Sequence, residues 1–149
     1  MTISHTGIHE AAHAVAAIRT GLVFESVTAV PDEEFELDGA LHWTGLHDEL
    51  GLAMPPEGLA IVLLAGPCAE AKLRRLRPDR VFAGLAALDD RESVASLGLT
   101  DAQFLAASRD ALELVERDWP AIERVALELE VRDSLDFDEV EAIVVSHDI

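Results

Sequence analysis

Apolar positions recur at helical spacing near the start of the chain. Ile8, Ala12, Val15 and Ala16 share one face, Thr6 stands where an N-cap belongs and Gly21 where a helix stops. The pattern predicts a helix over 7–20. Phe-Glu-Ser-Val-Thr-Ala-Val over 24–30 is rich in β-branched residues and ends at Pro31, which predicts a strand. Residues 31–39 are acidic and turn-like, and 40–46 carries a second short strand, so the two can pair as a hairpin. After an irregular stretch over 48–56, the strongest apolar segment covers 57–75, where Leu59, Val62, Leu63, Gly66, Ala69, Glu70 and Leu73 fall on one helical face. Pro67 lies inside that helix and predicts a kink there. A loop over 77–87 follows, then a helix opened by Asp89 and Asp90 that carries Val94 and Leu97 and closes at Gly98.

The last third reads as helices. Thr100 caps a helix to about residue 118, with Phe104, Leu105, Leu112 and Val115 expected inward. Trp119-Pro120 restarts a helix that runs to 131, and Asp136 with Glu139 forms a capping box for the last one. The expected fold class is α+β, predominantly helical, with one small β-sheet and a C-terminal helical bundle. A single domain covers 1–149: the first helix and the sheet over about 7–47, and the helical part over about 57–147.

Charge narrows the partners. Aspartate and glutamate number 29 against 11 lysines and arginines, a formal net charge of -18. Such a surface repels nucleic acid and anionic membranes. The longest apolar run, 59–69, is about half of a membrane span, and residues 1–6 lack the basic start of a signal peptide, so a chain free of membranes is expected. The single cysteine, Cys68, excludes an internal disulfide and a cysteine-based zinc knuckle, in keeping with a cytoplasmic location. It reads as a small buried hydrophobe.

One short motif carries chemistry. His9-Glu10-Ala11-Ala12-His13 is HExxH. On a helix, residues four apart share a face, so His9 and His13 can hold one Zn²⁺ through their Nε2 atoms. Glu10 then stands beside the metal as the general base: it takes a proton from the attacking water and returns it to the leaving amine. A catalytic zinc needs a third protein ligand. No HExxHxxGxxH extension supplies it, because 16–19 read Ala-Ala-Ile-Arg.

Three segments together resemble a known family. His-Glu-Ala-Ala-His-Ala over 9–14, Leu-Ala-Gly-Pro-Cys-Ala-Glu over 64–70 and Gly-Ala-Leu-His-Trp-Thr over 39–44 are similar to the zinc-binding helix, the Leu-Ala-Gly-x-Ala-Ala-Glu helix and the edge strand of the FtsH-type zinc peptidases, the M41 family. The resemblance runs from His9 to about Leu129, and only HExxH is sharp. It implies a zincin-like metallopeptidase domain, and with no Walker A motif in the sequence a free-standing one, without ATPase domain or membrane anchor, is expected. It also implies a third ligand, an aspartate that opens a helix after a Gly-containing loop, as 84–97 does here. Asp90 has Val94 and Leu97 four and seven residues on, whereas Asp89 has Ser93 and Ser96; Asp90 is the expected ligand and Asp89 the alternative, with the other capping the helix.

The chain departs from the family at Ala12 and His42, where the family has glycine. His42 lies on the strand where a substrate backbone would add, and it either narrows the cleft or supplies a hydrogen bond. No tyrosine exists to stabilise an oxyanion, and His42, His47 and Arg91 are the available substitutes. Glu70, on an apolar face, either accepts Nδ1–H from a ligating histidine or lies partly exposed near Lys72 to Arg75. The expected activity is zinc-dependent hydrolysis of a peptide or unfolded protein. The alternatives are a weakly active module of the same fold with a structural zinc, and an acidic interaction protein whose HExxH is accidental. Oligomeric state is left open.

Overall fold

The computed structural model describes residues 5–29, 40–42, 55–75, 94–95 and 97–148. Five helices and three short strands lie within them: α1 (His5–Thr20), β1 (Ser26–Thr28), β2 (Ala40–His42), α2 (Pro56–Arg74), α3 (Asp101–Arg117), α4 (Trp119–Arg132), β3 (Ser134–Asp136) and α5 (Phe137–Ser146). The protein is predominantly helical with one small sheet. None of the described helices is long and apolar enough to cross a membrane.

Helix α1 is the centre of the molecule. Ile8, Ala11, Ala12 and every residue from Ala14 to Ala17 are fully buried, so the helix is covered on all sides. Its neighbours are α2 along one flank, α4 and α5 on another, and the sheet. The many alanines matter here, because a methyl-sized side chain lets a second helix approach closely. A left-handed Gly21 (φ +87°) ends α1. Leu22 N–H returns to the Ala17 carbonyl at 2.9 Å and Gly21 N–H to that of Ile18 at 3.4 Å, a Schellman closure that only glycine adopts without strain. At the same end, Arg19 forks onto two carboxylates. It donates to Asp118 at 3.1 and 2.9 Å, and to Asp148 at 3.0 and 2.6 Å. The fork joins α1 to the buried α3–α4 junction and to the tail after α5.

The antiparallel pairing expected of the two strand segments is present over 26–28 and 40–42; residues 30–39 and 43–46 lie outside the described residues. Val27 lies opposite Leu41, and Ser26 opposite His42, in antiparallel register. The sheet has a third strand that periodicity did not predict. β3 pairs antiparallel on the other side of β1, with Val27 opposite Leu135, giving the order β2-β1-β3. Three residues carry no periodic signal. What creates β3 is the turn at Asp133 (φ 64°) after α4, with its carbonyl held by the Thr28 hydroxyl at 2.8 Å.

α2 runs without interruption through Pro67, whose ring is buried. Helix α3 corrects the expected inward face. Phe104, Leu105 and Leu112 stand 41%, 60% and 41% exposed, while Ala107, Ala111, Leu114 and Val115 are buried. The buried face of α3 therefore combines two alanines with Leu114 and Val115. Hydrophobicity alone favoured the larger side chains, but close helix packing selects for size as well. The caps expected at Thr100 and Asp136 are present: Thr100 accepts from Gln103 N–H, and Asp136 from Glu139 N–H, each reciprocated by the partner's side chain, whereas Thr6, expected to cap α1, lies inside that helix. Thr100→Ala should cost about 1 kcal/mol, read as a lower urea midpoint at unchanged m-value.

Candidate metal centre

His9, Glu10 and His13 lie on α1 and are 6%, 8% and 5% exposed, so the chain's one titratable cluster on this helix is inside the protein. One ligand atom from each lies within 4.8 Å of the others, a spacing that a single cation could bridge. The two imidazole rings meet edge to face, with centroids 4.7 Å apart and planes at 79°. Consecutive turns of one helix impose that proximity.

The orientation of the rings comes from α2. His9 Nδ1 donates to Glu70 Oε1 at 2.5 Å, and His13 Nδ1 donates to the backbone carbonyl of Val62 at 2.7 Å. A carbonyl carries no proton, so His13 must be the donor in the second bond. A neutral imidazole with its proton on Nδ1 keeps the lone pair on Nε2, which is the form a metal requires. Glu70 is 3% exposed, and its second oxygen lies 3.7 Å from Arg74 Nη2, one turn along α2. Of the two placements open to Glu70 from sequence, the structure has it buried and bonded to His9, with Arg74 at its back.

The Nε2 edges of both rings meet at Gly66. A Cβ built on that glycine would lie 2.5 Å from His13 Nε2, 2.6 Å from His13 Cε1 and 2.8 Å from His9 Nε2. A side chain there would force the two rings to shift. The donor set therefore suits zinc: two imidazoles, each anchored through Nδ1, converge with their Nε2 edges on one spot beside the bare Cα of Gly66. Glu70→Ala should weaken zinc binding about 10- to 100-fold, measured by competition with a chromogenic chelator.

Other expected site residues fall differently. Asp89 and Asp90, the two possibilities for a third ligand, lie outside the described residues, as do His47 and Arg91. His42 is placed in β2 at the register position opposite Ser26, at one edge of the sheet. Cys68 is buried, and burial pushes its thiol up to about 12, so the free thiol stays protonated at neutral pH. At the basic end of α2, Lys72 reaches across to α3 and α4: it bonds Glu116 at 3.0 Å and lies 5.1 Å from the centre of the Trp119 ring. His147, near the C-terminal end, is exposed and bonded to the Ile143 carbonyl at 2.9 Å. Sequence reasoning missed the part played by the Val62 carbonyl, because a main-chain acceptor has no residue signature. For Gly66 a signal existed: an isolated glycine inside an apolar helix usually has a packing or functional reason.

No protein-family model matches this chain, and no curated protein matches it.

Proposed function

We propose that this chain is a zinc-dependent metallopeptidase domain with a zincin-like fold, hydrolysing peptide bonds in a peptide or unfolded protein. The observation that carries the reading is the pair of histidines on α1, each anchored by Nδ1 to α2, with the Glu10 carboxylate in the same cluster. His9 and His13 would hold the ion through Nε2, and Asp90 or Asp89 would complete the ligand set. When bound, zinc would supply Lewis-acid polarisation and lower the pKa of water toward ~7. Glu10 does the proton work. Its carboxylate accepts a proton from the attacking water and gives it to the leaving nitrogen. Glu70 and the Val62 carbonyl hold the rings in place. β2 stands at an edge of the sheet, where an extended substrate would add as a further strand next to His42. A cytoplasmic setting belongs to this reading, in line with a single buried thiol.

A second reading keeps the metal and drops the turnover. The three donors are all 8% exposed or less, which leaves a peptide little access to an ion held there. Two measurements on the purified protein decide between them: zinc per chain by mass spectrometry, and turnover of unfolded casein before and after chelation. One equivalent of zinc, with turnover lost on chelation and restored by added zinc, is the expected result. Zinc without turnover would leave the structural site standing. No zinc affinity at all would overturn both.

A further inference from the structure

Helix α2 performs an unusual task at the metal centre. A carbonyl in the middle of a helix is already bonded to the N–H four residues on, and its remaining lone pair is ordinarily screened by side chains. Helical Cα–Cβ bonds lean toward the N-terminus, so the residues that screen the carbonyl of Val62 are those three and four positions later. These are Ala65, with only a methyl group, and Gly66, with none. The consequence is visible in the path of the His13 ring. Its Nδ1 reaches the Val62 carbonyl at 2.7 Å, while its Cε1 and Nε2 pass 2.6 and 2.5 Å from where a Cβ of Gly66 would be. One edge of the imidazole therefore lies along α2 from the carbonyl of Val62 to the bare Cα of Gly66.

We propose that Gly66 is a positioning residue that selects the tautomer of His13. With no side chain there, the Val62 carbonyl is open to His13 Nδ1–H, and the Nε2 edges of His13 and His9 come together over the Gly66 Cα. Simple close packing of two helices would also favour glycine at a contact point, but it would not need any particular proton position. The two roles separate experimentally. This inference rests on the metal-site reading only for its affinity readout; the tautomer is a property of the metal-free protein.

The test is ¹⁵N NMR of the histidine side chains in metal-free protein at about pH 8, where an ordinary imidazole is neutral. In the wild type, His13 is expected with its proton on Nδ1. In Gly66→Ala the added methyl occupies the path of the ring, so His13 should shift to the Nε2–H form or to an exchanging mixture. Zinc affinity, measured with Zn²⁺ alone against a competing chelator, should fall about 10- to 100-fold, the range for a lost orienting bond. A wild-type His13 protonated on Nε2 would overturn the proposal. So would a Gly66→Ala protein that is less stable yet keeps the Nδ1–H form and its zinc affinity. If Gly66→Ala does not fold, the His13→Ala/Gly66→Ala double variant decides. With the two nearest ring atoms gone, only the tip of the His9 ring, 2.8 Å from the added carbon, must give way, so the double variant should fold; its failure to fold would assign Gly66 to backbone packing and refute the tautomer role.

Discussion

Glu10→Gln is expected to retain one equivalent of zinc and to lose peptide hydrolysis by about 10²- to 10⁴-fold, the usual contribution of a positioned general base. The change is nearly isosteric. Glutamine fills the same 8%-exposed position on α1, so the packing around His9 and His13 should survive. What disappears is the ability to accept a proton at neutral pH and release it later. Casein turnover together with zinc stoichiometry checks this. A variant that loses the metal as well would make Glu10 a ligand or a structural support. One that keeps full turnover would remove Glu10 from the chemistry altogether.

His9→Ala should have the largest effect on the protein as a whole. It deletes one of the two nitrogens proposed to hold zinc and also strips Glu70 of its 2.5 Å partner in the interior. A buried carboxylate deprived of its partner typically costs about 3–5 kcal/mol, and zinc's stabilisation by mass action is lost in addition. Arg74 offsets part of this, but only at 3.7 Å and from a side chain 42% exposed. The expected outcome is a protein without zinc and with a sharply lower denaturation midpoint, even relative to metal-free wild type. His9→Ala/Glu70→Leu should then recover much of the metal-free stability, since neither half of the broken pair remains buried and polar. Wild-type zinc stoichiometry in His9→Ala would place the metal elsewhere. Equal stability of His9→Ala and metal-free wild type would mean that Glu70 does not depend on His9.

How far sequence reaches into this molecule depends on the distance over which each feature is encoded. The helix ends at Gly21, Thr100 and Asp136 were legible because a cap is settled within about one turn of chain. The pairing of 26–28 with 40–42 was legible from two β-rich segments around a turn. The inward face of α3 was misjudged because the deciding factor is the room that α2 leaves, which lies outside the helix itself. β3 escaped notice for the same reason: three residues become a strand only when Val27 and Thr28 are there to receive them.

The site divides along the same line. By itself the sequence determined that His9 and His13 share one helix face with Glu10 adjoining them, because helical geometry places residues i and i+4 side by side whatever the rest of the chain does. It also offered Glu70 as a polar group on an apolar face. Only the tertiary structure decided that this carboxylate meets His9, 61 positions away, and that His13 turns its Nδ1 to the Val62 carbonyl, 49 positions away. Such contacts depend on how α2 lies across α1, and that is set by the sum of small side chains along both helices rather than by any one motif. The orientation of an imidazole is thus a tertiary property, set by a carbonyl of the partner helix and by the absence of a side chain at Gly66.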